Sequence, residues 1–296
     1  MRENPCATLR LTLRNSAGNA SRNSPSIIQS ARRLYSLITA ASKKIVILAG
    51  PGESTDILFH YLDQAFGVHR IIVETPVSQR QLLKRRAEKL GWPVVAGQIL
   101  FKLLVAGPLG RSSQARQAAI RAQHGLRATP LPADRLSAVT SVNSPECIAL
   151  LQELQPDVVV VNGTRIIAKK VLTSLTCPFL NTHAGITPLY RGVHGGYWAL
   201  ANNDPAHCGV SVHLVDAGID TGGILYQALI KPTPDDNFTT YPLLQLAAGL
   251  PLLAQAVRDA LAGTLRLQPA PAGESRLWSH PTLSEYRAAH RRNGTK

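Results

Sequence analysis

The chain is predicted to be an α/β protein with a doubly wound, mostly parallel twisted sheet and helices on both faces. Three observations predict this. Ile45–Ala49 and Val158–Val161 are uninterrupted apolar runs of strand length, the signature of strands buried on both sides. Strand-like runs alternate with segments of helical spacing from Lys44 to Leu261. Glycine-rich polar stretches follow several of the strands, where open α/β sheets bind ligands.

In order, Lys43–Gly50 reads as a first strand that empties into the turn Gly50-Pro51-Gly52-Glu53-Ser54-Thr55. Asp56–Ala65 carries Ile57, Leu58, Tyr61 and Leu62 at helical spacing, so strand, turn and helix open a βα unit. Val68–Glu74 is the expected second strand, and Val77–Leu90 a basic helix whose Lys84-Arg85-Arg86 face is solvated. Gly97–Leu109 is expected as a helix ended by Gly107-Pro108, and Ser112–His124 as a basic helix ended by Gly125. Ser144 caps a helix to Leu154, with Pro145 suited to its first turn. After the Val158 strand come a short helix through Lys170, a strand over Cys177–Thr182 and a helix around Trp198. Strands over Gly209–Leu214 and Gly223–Ile230 follow, then a helix over Leu243–Leu261 broken at Pro251.

The 296 residues are 45% hydrophobic and 17% charged, which suits a globular chain and excludes a disordered one. No run of about 18 apolar residues occurs, so neither a membrane span nor a membrane partner is expected. Cys6, Cys147, Cys177 and Cys208 lack metal-ligand spacing, so no metal or disulfide is expected, and the setting is a reducing, cytoplasmic one. The net charge is +14. Residues 1–44 hold eight Lys/Arg and one acid, and residues 270–296 five and two, so the excess lies at the ends. Three parts are therefore expected: a flexible basic extension at 1–43, a catalytic domain at 44–265, and a tail or short appended segment at 266–296. The Arg- and Ser-rich extension matches an organellar leader, and a poorly ordered extension or a misplaced start codon explains the same composition; Ser26–Lys44 is expected as a short helix.

Asn181-Thr182-His183 ends a strand, and one intervening residue turns both polar side chains to the same side. Asp220 leaves another strand 37 residues later, in VDAGIDTGG. An amide, an imidazole and a carboxylate gathered at strand ends are costly to bury without a task. His207 and His213 are expected at surface or strand positions without chemistry, and Tyr190 and Trp198 as packing residues.

Asn181-Thr-His183, Pro188-Leu-Tyr-Arg-Gly192 and Gly209-Val-Ser-Val-His-Leu-Val-Asp-Ala-Gly-Ile-Asp220-Thr-Gly-Gly together resemble the signature of the folate-dependent formyltransferases. The resemblance runs from about Gln155 to Gln227, with weaker support over Lys44–Leu62. It implies a formyltransferase-like Rossmann variant that uses 10-formyltetrahydrofolate as formyl donor, with Asn181, His183 and Asp220 as catalytic residues. Asn181 and a protonated His183 would donate to the formyl oxygen, and Asp220 would relay protons. The resemblance further implies donor contacts from Gly163, Thr164, Arg165, Ile166 and Ile167 and from Val215 and Asp216. Arg165 is expected to face outward or to meet an acid. Acceptor contacts are expected from Gly50, Gly52, Ser54, Thr55, Arg191 and His194. Pro51 and Glu53 weaken the first turn as a phosphate cradle, since one removes an N–H and the other repels an anion.

The expected acceptor is a small-molecule amine of ribonucleotide or nucleotide-sugar type. tRNA is not expected, because only some 30 to 40 residues follow the last long helix. The alternatives are hydrolysis of 10-formyltetrahydrofolate and an inactive basic module that binds nucleic acid or a partner. The oligomeric state is left open. Residues 79–143 are longer than in the minimal family member, and an unusual acceptor site is expected from them.

Overall fold

A computed structural model describes residues 43–296. The expectations for the extension, including its helix and Cys6, lie outside the described residues. Lys44–Lys296 form one unit around a seven-stranded sheet of order β3-β2-β1-β4-β5-β7-β8. Its strands are β1 (Ile45–Ala49), β2 (Arg70–Glu74), β3 (Leu136–Val139), β4 (Val158–Asn162), β5 (Phe179–His183), β7 (Gly209–Leu214) and β8 (Ile224–Leu229). All neighbours from β3 to β5 run parallel, while β5–β7 and β7–β8 are antiparallel. A two-stranded parallel pair, β6 (Tyr190–Gly192) and β9 (Arg276–Trp278), lies apart from this sheet.

The pleat of β1 explains its unbroken apolar run. Ile45, Ile47 and Ala49 enter one core cluster, with α1 (Glu53–Phe66), Ile120 of α5 (Gln114–His124) and α9 (Tyr241–Ala262). Val46 and Leu48 enter another, with α6 (Pro145–Leu154) and α7 (Lys169–Leu172). Each fully buried Val, Leu or Ile contributes roughly 1.5–3 kcal/mol, so the two-sided strand anchors both layers. A third cluster joins α3 (Trp92–Phe101), α8 (Gly195–Ala201) and α10 (Leu283–Asn293) through Phe101, Tyr197, Trp198 and Ala289. Residues 266–296 thus contribute β9 and α10, and α10 opens on a capping box between Thr282 and Glu285. Ser144 caps α6 as expected, accepting from the Cys147 N–H.

Two local expectations are corrected, and one strand appears that the sequence did not signal. The helix over Gly97–Leu109 does not stop at Gly107-Pro108 but continues through a π-helical turn, Lys102–Ala106, into α4 (Gly107–Ser112). Proline has no N–H to give, and the wider turn, closed by Gly107 N–H on the Lys102 carbonyl, carries the axis past it. The segment Trp92–Ser112 is therefore one helical rod, long and apolar enough by length and composition to cross a membrane, although no apolar run of that length exists in the sequence. Pro251 lies inside an unbroken α9; it is exposed, and burial of Leu250, Leu253 and Ala254 beside it holds the helix together. β3 had no sequence signal, because only Val139 of its four residues is buried.

Candidate active site

Asn181 and His183 sit at the carboxyl end of β5, and the antiparallel partner β7 sets His213 opposite Asn181 and Ser211 opposite His183. The loop after β7 returns Asp220 to the same place. The Asp220 Oδ2 lies 3.3 Å from His183 Nδ1, and its Oδ1 lies 3.6 Å from His213 Nε2. Asn181 Nδ2 is 3.1 Å from His213 Nε2. The three groups expected to converge do so, and a second imidazole joins them.

The hydrogen bonds assign tautomers. His183 Nε2 lies 2.6 Å from the Tyr190 carbonyl and must donate to it. His213 Nδ1 donates to the Leu214 carbonyl at 2.7 Å, which leaves Nε2 to accept from the Asn181 amide. One N–H of Asn181 is thereby tethered, and the other is left for a ligand. Burial, the largest influence, draws His183 below its ordinary pKa, opposed by the Asp220 charge and the Tyr190 carbonyl. Burial, the largest influence, pushes Asp220 up, but its polar contacts with His213, His183 and the Gly192 N–H together outweigh it and hold the carboxyl below its ordinary value. At neutral pH the pair is an uncharged imidazole beside a carboxylate. The expectation that a protonated His183 donates to the formyl oxygen does not fit this geometry: Nε2 is spent on Tyr190, and Nδ1 faces Asp220.

Asp220 has φ of 51°, an uncommon conformation for a residue with a side chain. Its surroundings hold it there. Gly192 N–H donates to its carboxylate at 2.9 Å, Arg191 Nη1 donates to the preceding Ile219 carbonyl at 3.1 Å, and Asp216 accepts from Gly218 N–H and the Thr221 hydroxyl.

A cleft of about 330 Å³ opens over these groups. Gly163, Thr164, Arg165, Ile166, Ile167, Val215 and Asp216 all line it, together with Asn181, His183, His213 and Asp220. Ile167 is buried, whereas Ile166 is 57% exposed and offers the cleft an apolar wall. Arg165 pairs with Glu74 at 2.7 Å, and the same carboxylate accepts its backbone N–H, so this loop is pinned from below.

A second cleft of about 350 Å³ is lined by Glu53, Ser54, Asn162, Gln117, Arg121, Gln245 and apolar residues of α1 and α9. Thr182 and Ala184 line both clefts, so the two meet at the end of β5. The expected acceptor residues divide. Ser54 lines the second cleft, while Thr55 is buried with its hydroxyl on the Gly50 carbonyl at 2.7 Å. Gly50 packs so closely that a Cβ there would lie 2.3 Å from the Gly163 carbonyl oxygen, and Gly52 lines neither cleft. Arg191 holds the Asp220 loop. His194 lies outside both clefts, against His280 at 3.0 Å and the Phe238 ring. Glu53 does not stand as a bare charge, because Arg121 grips it at 2.6 and 3.0 Å.

His213 was expected at a surface or strand position without chemistry; it lies on β7, where the register sets it against Asn181 and Asp220. Its signal is register: a histidine on an alternating strand gains a role only when the opposite residue is known to be Asn181. Gln117, Arg121 and Gln245 were missed for a similar reason, since helices distant in sequence bring them to the cleft.

Residues 107–244 match the family model described as Formyl transferase. Among curated relatives, the methionyl-tRNA formyltransferase of Synechococcus sp. (strain JA-3-3Ab) is 36% identical over 148 residues, covering 48% of this chain and 43% of its own. That of Burkholderia orbicola (strain MC0-3) is 31% identical over 170 residues, covering 56% and 51%. The chain thus spans about half the length of the curated relatives it matches. Among solved structures, glycinamide ribonucleotide transformylase 1 from Symbiobacterium toebii aligns with TM-score 0.52 at 18% identity, covering 78% of this chain and 93% of its own. A 4-N formyltransferase from Francisella tularensis aligns with TM-score 0.50 at 13%, covering 83% and 78%. At such identities these structures establish the shared fold. The relatives named for tRNA overturn the expectation that tRNA is excluded. That expectation rested on the length of chain after the last long helix, which does not bear on the acceptor.

Proposed function

We propose that this chain is a formyltransferase, carrying a formyl group from 10-formyltetrahydrofolate to a primary amine through Asn181, His183 and Asp220. The meeting of two clefts at Thr182 and Ala184 carries the reading: a transfer between two substrates needs two berths with the reacting groups at their junction. The first cleft suits the donor. Its exposed Ile166 offers a flat apolar wall, and the Gly163–Ile167 and Val215–Asp220 segments offer backbone groups to a heterocycle's edge. The donor supplies an acyl carbon on an amine leaving group.

The chain's own residues supply the rest. The untethered N–H of Asn181 stabilises the oxygen on which charge develops; such a donor contributes about 10²–10³ in rate. The pair of uncharged His183 and ionised Asp220 has room for one proton. It takes that proton from the attacking amine and returns it to the leaving nitrogen, a role that contributes about 10²–10⁴. The forming imidazolium is stabilised by Asp220 on one side and the Tyr190 carbonyl on the other.

The acceptor favoured by the relatives' names is the amino group of methionyl-tRNA, and a net charge of +14 suits an RNA ligand. The test is release of tetrahydrofolate from the donor, incubated in turn with methionyl-tRNA, a phosphoribosyl amine and an amino-sugar nucleotide. Release is expected only with the right amine, and Asn181→Ala and His183→Ala should suppress it. Release that needs no amine would mean hydrolysis and would overturn transfer.

A further inference from the structure

The helical rod Trp92–Ser112 is two-faced in an unusual way, because both faces are apolar. Its inner face is committed. Phe101 packs edge-on to Phe238 at 4.8 Å, and Gln98 donates to the His280 carbonyl at 2.8 Å. Its outer face shows Trp92, Ile99, Leu100, Leu103 and Leu104 to solvent, with Trp92 and Leu103 about two-thirds exposed. These recur at helical spacing, so they form one stripe along the rod. The rod's charges are Lys102 and Arg111, with no acid.

Beside it packs α2 (Gln79–Leu90), whose Arg80, Lys84, Arg85 and Lys89 are exposed. Residues 77–124 hold nine Lys/Arg and one acid. Two of the nine are paired, Arg116 with Asp236 and Arg121 with Glu53, and Arg86 bonds His280. The other six form no ion pair among the described residues. An apolar ridge is thus flanked by unneutralised positive charge.

We infer that this face docks on the surface of an anionic lipid bilayer, with the rod lying in the interface rather than crossing it. Crossing would strip Phe101 and Gln98 from their partners. A bilayer accepts a convex ridge, whereas a protein partner would need a matching groove. A second copy is disfavoured, since a twofold contact would set the same basic rims against each other. Residues 1–42 are disfavoured as a cover because they too are basic, with six Arg and one acid. RNA would meet the positive charge but gains nothing from exposed leucines.

The test uses the full chain and vesicles of phosphatidylcholine with or without phosphatidylglycerol. Co-sedimentation is expected with the anionic vesicles and should weaken as salt rises. Trp92→Ser/Leu100→Ser/Leu103→Ser should lower vesicle affinity at least about tenfold. Lys84→Glu/Arg85→Glu/Lys89→Glu should lower it about fivefold per residue changed, in low salt. Brominated acyl chains should quench tryptophan emission of the unmodified chain, a readout that needs no variant. Donor affinity should be unchanged in both variants, which reports an intact fold. The proposal is overturned if the unmodified chain ignores anionic vesicles, or if the apolar variant binds them as well as the parent does. It is equally overturned if the apolar substitutions instead dissociate an oligomer or abolish tRNA binding.

Discussion

If His213 works by holding Asn181, replacing it should harm the rate without harming donor binding. The perturbation is His213→Leu, which fills a buried site but cannot accept from the amide Nδ2 now 3.1 Å away. A neutral hydrogen bond contributes about 0.5–1.5 kcal/mol net, so its loss alone predicts a rate two- to thirteenfold lower, at about 1.4 kcal/mol per tenfold. If the freed amide swings away from the developing oxyanion, the ceiling is the full donor effect, about 10²–10³. A fall in kcat of about tenfold to a hundredfold is therefore expected, with donor Kd within about twofold. Single-turnover release of tetrahydrofolate measures the first, and quenching of protein fluorescence the second. His213→Gln is the control, because its amide oxygen can accept from Asn181 and should recover much of the rate. A kcat for the leucine variant within twofold of the parent would refute the argument, and so would equal damage in both variants.

Three further outcomes follow from the geometry. Arg121→Ala leaves Glu53 unpaired in the second cleft and should raise the acceptor KM while leaving donor affinity alone; the exposed pair contributes at most about 1 kcal/mol, so stability should hardly move. His194 and His280 are driven down to about 3 and about 4 by burial, from 6.5. The unfolded chain therefore takes up protons first as pH falls, and stability present at neutral pH drains away below about 6.5 until the folded values are reached. The loss at pH 5 is up to about 2 kcal/mol per imidazole. Urea midpoints at pH 7 and pH 5 measure it, and His194→Asn/His280→Asn should flatten the difference. Gly50→Ala drives a Cβ against the Gly163 carbonyl and should cost about 1–3 kcal/mol, read as a lower Tm.

The two-sided strands and the Ser144 cap were legible because each is written in a few adjacent residues, and the convergence of Asn181, His183 and Asp220 because each stands at a strand end on the same edge of the sheet. What stayed hidden depends on distant partners. The role of His213 exists only through its pairing with β5, and that of Arg121 only through the packing of α5 near α1. β3 and the continuity past Gly107-Pro108 escaped because local propensity argued for other outcomes and tertiary packing overruled it. The charge of Glu53 was read correctly but without its counter-ion. The protonation state of His183 was read from its neighbour Asp220, whereas burial dominates.

Thr182 lies between Asn181 and His183 on β5, and a pleated strand sends neighbours to opposite sides. On the proposed reading, the reagent's wall comes from loops above one layer of helices, and the recipient's wall from α1, α5 and α9 of the other. The two halves of the reaction therefore answer to different parts of the gene. On that same reading, drift in the helices would redirect which molecule is modified while leaving the chemistry in place.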